Sequence, residues 1–214
     1  DFVMKILGKY HSEKPERSFS ASQLNTYINC PLEFYYKYII GADEPDEMTE
    51  QMGSLEFGNL IHKAMELIYQ DYRGKIISKA ELQLIYQDEN FINSKIDNAY
   101  NLEMKSGAKE NRGGLNAIAL KIIKKYIKRI LQFDLKAAPL KYIEGEKIIS
   151  YHLVPDGNIP DKKVRIKGTI DHLDISGDKL RLIDYKTGRQ SNRAKPDSEK
   201  LFNRSDREYD HYFQ

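Results

Sequence analysis

Two aspartates and a lysine stand at the ends of two apolar segments that follow each other closely in the sequence. Asp171 lies in the segment from Val164 to Ile175, and Asp184 and Lys186 lie at the end of the segment from Lys179 to Tyr185. Runs of this length, rich in Ile, Leu and Val, predict two β-strands. Carboxylate oxygens are the ligands that Mg²⁺ and Mn²⁺ prefer, and a nearby ammonium group stabilises developing negative charge. These residue types therefore indicate a metal-dependent hydrolase site.

The short connection between the two segments predicts a β-hairpin that brings the aspartates together. A Gly-Asp pair at 177–178 is typical of a two-residue hairpin loop. With that loop, Ser176 pairs with Lys179, and counting back along both strands places Asp171 opposite Asp184.

Strand alternation predicts that both aspartates share one face of the hairpin. Side chains two positions apart point the same way, so Lys186 joins Asp171 and Asp184. The same rule predicts an apolar surface with little water beside them, formed by Leu173, Ile175, Leu180 and Leu182. Because facing like charges destabilise a sheet, Lys186, a divalent ion or both must compensate them. A solvated strand edge with a salt bridge and no metal is the alternative that these residues leave open. The other polar residues of the hairpin, which this geometry directs elsewhere, are His172, Asp174 and Asp178.

The composition predicts one domain with a well-solvated surface. The chain has 214 residues, of which 40% are hydrophobic and 31% are charged. It has no apolar run of membrane-spanning length and a single cysteine, so we expect a cytosolic protein without a membrane partner. The net charge is only +2, so any nucleic-acid surface must come from local clusters. Two basic clusters lie at 121–129 and 186–207; the first also fits the solvated face of an amphipathic helix.

Helix signals precede strand signals along the chain. Residues 1–19 are a polar lead-in. The helix signals are a cap at Ser20, Pro31 in a first turn, helical spacing from Leu55 to Tyr72, caps at Ser78 and Asp88, and a long amphipathic run from Leu115 to Lys136. A strand from Tyr142 to Val154 and the hairpin follow. We therefore predict an α/β (α+β) fold, with a helical part over about 20–138 and a strand core over about 141–188.

Three blocks of the sequence, taken together, resemble one protein family. The blocks are Ser20–Tyr38 with its Cys30-Pro31 pair, Gly58–Glu66 around His62, and Asp171 followed by Asp184-Tyr-Lys186-Thr-Gly188. In this order they resemble the PD-(D/E)XK nuclease superfamily, in the form found in RecB-like and AddB-like nuclease domains. A lone Asp-x-Lys is weak evidence, whereas three ordered blocks are specific.

This resemblance implies a metal-dependent deoxyribonuclease, expected to be an exonuclease, with a restriction-endonuclease-like core. The implied catalytic residues are Asp171, Asp184 and Lys186, and the implied ligands of Mg²⁺ or Mn²⁺ are His62, Asp171, Asp184 and the backbone carbonyl of Tyr185. The residues assigned to an outer shell or to DNA are Glu66, Thr187, Arg189 and Gln214. On spacing alone, His62 is more often a packed helix residue, and Glu66 fits a surface acid equally well. Lys186 stays protonated beside carboxylates, so we assign it positioning and electrostatics.

The resemblance also implies partners and a boundary for the domain, 20–214. Single-stranded DNA or duplex ends are the expected substrate, beside a helicase-like module, in DNA end processing or recombination repair. A second core helix is expected to start at about 206–214, which leaves the core incomplete at its C-terminus. A [4Fe–4S] cluster needs four thiolates, so Cys30 alone cannot hold one, and we expect it to be a small buried hydrophobe. The alternatives are an inactive DNA-binding or structural module with this fold and an unrelated salt-bridged α/β domain.

Overall fold

Helices come first and long strands follow, so the predicted mixed α/β class is confirmed. The computed structural model describes residues 17–42, 51–104, 113–153 and 164–187. Its α-helices are α1 (Ala21–Asn29), α2 (Pro31–Phe34, continued by a π-helical turn Tyr35–Ile40), α3 (Ser54–Tyr69, then a 3₁₀ turn Gln70–Tyr72), α4 (Lys79–Gln87), α5 (Glu89–Glu103) and α6 (Gly114–Ala137). Its strands are β1 (Phe19–Ser20), β2 (Ile76–Ile77), β3 (Leu140–Leu153), β4 (Val164–Ser176) and β5 (Lys179–Ile183).

The predicted helix starts are confirmed because their capping residues form the expected bonds. Ser20 and Ser78 each accept the backbone N–H three residues on, and the side chain at that third position returns a bond to the cap backbone. Asp88 caps α5 by accepting the N–H of Phe91 at 2.8 Å. Pro31 occupies the first turn of α2. Local sequence therefore sets these boundaries.

The sheet has the strand order β1-β4-β3-β2, with β5 paired to β4. The β4–β5 hairpin has the predicted register, from Ser176 opposite Lys179 to His172 opposite Ile183. Asp171 and Asp184 are the next residues outward from the last of these pairs. The two-residue strands β1 and β2 were not predicted; β1 pairs parallel with β4, and β2 pairs antiparallel with β3.

The described residues fall into two compact units. One contains 17–42, 148–153 and 164–169, and the other contains 51–104, 113–147 and 170–187. The second unit holds the apolar core, in which α3 packs on α5 and α6. The residues of this core that lose all solvent contact include Leu60, Ile68, Ile92, Ile123, Ile127 and Leu131. All the residues of the candidate site lie in this second unit.

Two expectations were wrong. The surface beside the aspartates is not dry along β5, because Leu180 and Leu182 are exposed, while the polar His172 and Asp174 on the opposite face are buried. Cys30 is half-buried rather than fully buried, because it serves as the N-cap of α2 and its Sγ accepts the N–H of Glu33 at 3.4 Å.

Several predictions lie outside the described residues. They concern the lead-in through residue 16, the last residue of the predicted strand at Val154, Arg189, nearly all of the second basic cluster, and the helix at 206–214 with Gln214. Within the described residues, no helix combines the length and the apolar character needed to cross a lipid bilayer.

Candidate active site

Three side chains that can bind a metal converge in the second unit: His62 from α3, Glu146 from β3 and Asp171 from β4. One ligand atom from each lies within 4.8 Å of the others. His62 Nδ1 is 3.4 Å from Glu146 Oε1 and 3.5 Å from Asp171 Oδ2. The imidazole therefore presents one nitrogen to both carboxylates.

The backbone of Tyr185 holds two of these side chains in place. Its N–H donates to Asp171 Oδ2 at 2.6 Å, and its carbonyl accepts a bond from His62 Nε2 at 2.9 Å. Because Nε2 carries the hydrogen in this bond, Nδ1 of a neutral His62 has its lone pair directed toward the carboxylates. Tyr185 follows directly after Asp184, so the segment that was predicted to carry the chemistry also orients His62.

Burial and charge shift the pKa values of this cluster. Burial raises the pKa of Asp171, and the negative charges of Asp184 and Glu146 raise it further. The bond from the Tyr185 N–H and the charge of His62 lower this pKa, but by less. Burial lowers the pKa of His62, but the bond to Glu146, the charge of Asp171 and the bond to Tyr185 outweigh it, so this pKa lies above 6.5. Carboxylate charges contribute to both shifts, as a secondary cause beside burial for Asp171, and a cation bound here would relieve that contribution.

Glu146 is the member of the cluster that sequence reasoning missed. It adopts the left-handed backbone conformation, with φ 48°, which is uncommon for a residue other than glycine. A Cβ on the preceding Gly145 would lie 2.7 Å from Tyr142 Oη and 3.2 Å from the backbone oxygen of Asp171. Gly145 thus permits the close approach of β3 to the aspartate. A glycine between two glutamates inside a predicted strand was the available signal, since such a glycine marks a bulge or a close contact.

Asp184 and Lys186 lie beside this cluster as an ion pair. Lys186 Nζ is 3.0 Å from Asp184 Oδ1, and the Asp184 side chain is 56% exposed. Asp184 is near enough for its charge to contribute to the raised pKa of Asp171. The two carboxylates therefore differ in environment: Asp171 is buried and hydrogen-bonded to backbone, and Asp184 faces solvent with a lysine.

Two other predicted site residues, Glu66 and Thr187, lie within the described part of the chain. Glu66 accepts a bond from Lys63 at 2.7 Å. The hydroxyl of Thr187 lies 3.7 Å from where a Cβ on Gly58 would stand, so α3 passes close to this segment. An open cavity of about 310 Å³ gives solvent access to His62 and Glu146.

The donor set fits a divalent ion. Glu146 Oε1 is shielded from solvent and accepts no hydrogen bond of good geometry from the described residues; its contact with His62 Nδ1 is long, at 3.4 Å, so this acceptor can still bind a cation. The set is two carboxylates and one imidazole, with the Tyr185 carbonyl adjacent, and its oxygens suit Mg²⁺ and Mn²⁺. The chain's own residues therefore provide the ligands such an ion needs.

A helical part followed by a sheet, with an acidic hairpin that meets a helix histidine, defines a nuclease-like class. The chain belongs to the PD-(D/E)XK nuclease superfamily, whose family model matches residues 18–204.

Two groups of curated proteins are similar to this chain. An ATP-dependent helicase/deoxyribonuclease subunit of Carboxydothermus hydrogenoformans is 28% identical over 200 residues, covering 86% of this chain and 17% of that protein. The subunit of the same name in Clostridium perfringens is 25% identical over 84% of this chain and 16% of its own length. An uncharacterized protein of Rickettsia conorii is 29% identical over 83% of this chain and 20% of its own length. The chain thus spans a fifth or less of these relatives.

Proposed function

We propose that this chain is a metal-dependent nuclease domain that hydrolyses phosphodiester bonds in DNA. The convergence of His62, Glu146 and Asp171 in a chain of this superfamily carries the proposal, since their ligand atoms lie within 4.8 Å of one another. Mg²⁺ or Mn²⁺ is the proposed ion, which when bound acidifies a coordinated water and polarises a phosphoryl oxygen.

The proposed ligands are His62, Glu146, Asp171, Asp184 and the carbonyl of Tyr185. Glu146 joins the predicted set because of its distances to His62 and its buried oxygen. The Tyr185 carbonyl accepts the His62 bond through one lone pair and keeps a second one. His62 binds through Nδ1 and gives up the proton that its raised pKa favours.

Lys186 has an electrostatic role in this proposal. Its ammonium group is 3.0 Å from Asp184 Oδ1, which holds it close to the carboxylates. A charged ammonium there stabilises the negative charge that develops on the phosphoryl oxygens. It also orients the attacking water by donating a hydrogen bond.

The finer proposals concern substrate, partner and compartment. Because two of the relatives are named as helicase/deoxyribonuclease subunits, we propose that the domain is an exonuclease acting on single-stranded DNA or duplex ends, beside a helicase-like module, in DNA end processing or recombination repair. The cytosol is the proposed compartment, since that is where bacterial DNA lies.

Calorimetric titration with Mn²⁺ and Mg²⁺ tests the metal site. Asp171→Asn is the informative variant, because an amide keeps an oxygen for the Tyr185 N–H but loses the charge. Asp178→Asn, which removes the same charge from the exposed turn of the same hairpin, is the matched control. We expect binding by the wild type and the control, and a loss of at least about tenfold in affinity for Asp171→Asn.

Cleavage of labelled DNA tests the activity. Linear single strands labelled at either end report polarity, a circular single strand separates exonuclease from endonuclease action, and RNA of the same sequence tests sugar preference. Metal-dependent cleavage lost in Asp171→Asn supports the nuclease. Metal binding without any cleavage favours the alternative of an inactive module with the nuclease fold, and absence of metal binding refutes the site.

A further inference from the structure

A chain of hydrogen-bonded side chains lies buried on the face of β4 opposite Asp171. It links helices α3 and α6 to both strands of the hairpin and to Tyr185, which follows the hairpin. Its members, in order of contact, are Tyr69, Asp134, Arg181, Asp174, His172 and Tyr185. No member of it is among the ligand-capable side chains of the candidate site.

The inner part of the chain is an arginine held between two buried carboxylates. Arg181 donates to Asp174 from Nε at 2.6 Å and from Nη2 at 2.5 Å, and Nη2 also contacts Asp134 Oδ1 at 3.1 Å. Tyr69 donates to the second oxygen of Asp134 at 2.8 Å. Asp174 is 0% exposed and Asp134 is 1% exposed, so these charges rely on one another and not on water.

The outer part of the chain ends on Tyr185. Asp174 Oδ2 is 2.8 Å from His172 Nε2, and the phenol oxygen of Tyr185 is 3.0 Å from His172 Nδ1. Every group has a partner when His172 Nε2–H donates to Asp174 and the Tyr185 hydroxyl donates to Nδ1.

Tyr185 therefore belongs to two systems at once. Its side chain ends the buried chain, while its backbone N–H and carbonyl bond Asp171 and His62. Fully satisfied buried networks are rigid, because each bond is strengthened by low dielectric and any displacement leaves a polar group without a partner.

We propose that Tyr185 is a positioning residue whose phenol, anchored through His172 to the buried chain, fixes the backbone groups that orient Asp171 and His62 toward the metal. The inference rests on the proposed function, because it concerns the same site. It assigns a role to His172 and Asp174, which the hairpin geometry had set aside.

The test compares two removals of one phenol hydroxyl from the same network. Tyr185→Phe breaks the anchor at the site, and Tyr69→Phe breaks the chain at its far end, on a helix residue whose bond goes to Asp134. We expect Tyr185→Phe to weaken Mn²⁺ binding about tenfold or more in calorimetry. Tyr69→Phe is expected to lower the melting temperature while keeping the Mn²⁺ dissociation constant within about twofold of wild type.

A second measurement needs no metal. Amide hydrogen exchange of the Tyr185 N–H in EDTA reports the bond to Asp171 directly. Protection is expected to fall in Tyr185→Phe and to persist in Tyr69→Phe. Equal losses of Mn²⁺ affinity and of protection in both variants would mean that the network acts only through general stability, and an unchanged Tyr185→Phe would mean that the phenol positions nothing. Either result overturns the proposal.

A double variant separates the loss of the Tyr185 anchor from the effect of leaving His172 Nδ1 without a hydrogen-bond donor. Tyr185→Phe leaves His172 Nδ1 buried without a donor, so His172→Phe with Tyr185→Phe removes that group as well. If the double variant still binds Mn²⁺ weakly, the missing anchor is the cause; if it regains wild-type affinity, the unpaired ring was the cause and the proposal fails. The double variant also carries the test if Tyr185→Phe alone does not fold.

The outcomes separate this inference from the nuclease proposal. A wild type that binds Mn²⁺ but cleaves no DNA refutes the nuclease, while the comparison of Mn²⁺ affinities still decides the role of Tyr185. A wild type without Mn²⁺ affinity refutes both.

Discussion

Replacing Arg181 with methionine removes the cation that two buried carboxylates share. Methionine keeps much of the aliphatic stem of arginine but no donor. Among the described residues, Asp174 then keeps the side-chain bond to His172 and Asp134 keeps the one from Tyr69. The substitution therefore leaves two carboxylates in the interior without their shared cation. The loss of packing volume is the smaller effect, because methionine fills much of the same space.

The expected cost is about 4 kcal/mol of unfolding free energy. Removing one partner of a buried ion pair costs about 3–5 kcal/mol. The Arg181 side chain is 24% exposed, so water can partly replace it, which lowers the estimate. Asp174 and Asp134 lose the arginine at once, which raises the estimated cost. Burial raises the pKa of Asp134 even though His172, Tyr69 and Arg181 lower it. Without Arg181 this carboxylate can therefore take up a proton, which keeps the expected loss of unfolding free energy near the middle of the range of about 3–5 kcal/mol.

Urea and thermal unfolding followed by circular dichroism measure this cost. A change of about 4 kcal/mol corresponds to roughly 8–16 °C in melting temperature for a chain of this size. The control is Arg73→Met, since Arg73 pairs with Glu144 in the same unit but its side chain is 64% exposed; we expect less than about 1 kcal/mol there. If the two variants differ by less than about 1 kcal/mol, the buried network does not stabilise the fold as argued.

Three further predictions concern the site and its frame. Gly145→Ala should cost about 1–3 kcal/mol in urea unfolding, because its Cβ would clash with Tyr142 and Asp171. Among the described residues, a Cβ on Gly58 meets Thr187 at ordinary contact distance, so Gly58→Ala should gain up to about 1 kcal/mol; equal effects of the two variants would contradict this. Glu146→Gln should weaken Mn²⁺ binding at least about tenfold by calorimetry, and an unchanged affinity would remove Glu146 from the site. In EDTA, the raised pKa of His62 adds stability that is complete below pH 6.5 and is lost as the pH rises through the pKa of the folded state. The difference in unfolding free energy between wild type and His62→Gln should therefore shrink with rising pH. A difference that grows would show that the pKa shift has the opposite sign.

The sequence predicted the elements that depend on local chemistry. Caps at Ser20, Ser78 and Asp88 are short-range bonds, and the Gly-Asp loop at 177–178 sets the hairpin register, so both were readable without the structure. Strands β1 and β2 have two residues each and leave no periodic signal. They exist because longer strands provide edges for them, which only the folded chain reveals.

The site was predictable only in part, because distant segments complete it. Glu146 and Asp134 approach the hairpin from β3 and α6. The glycine before Glu146 indicates a bulge or a close contact but not which segment it meets, and the local sequence of Asp134 carries no such signal. Alternation along β4 correctly separated Asp171 from His172 and Asp174. Alternation gave no indication that His172 and Asp174 would be more deeply buried than Asp171, because burial depends on the helices that pack on that face.

The alternation along β4 has a consequence for how the length of this segment can change. Asp171 belongs to the candidate site and the next residue, His172, belongs to the buried chain, and Tyr185, just after β5, bonds to both. An insertion or deletion of one residue inside β4, between Asp171 and the buried His172 and Asp174, would reverse the facing of Asp171 relative to those two residues and direct it to the network. Length changes that keep both sets of bonds are therefore confined to the exposed turn at 177–178, where an added residue leaves the facing of both strands unchanged.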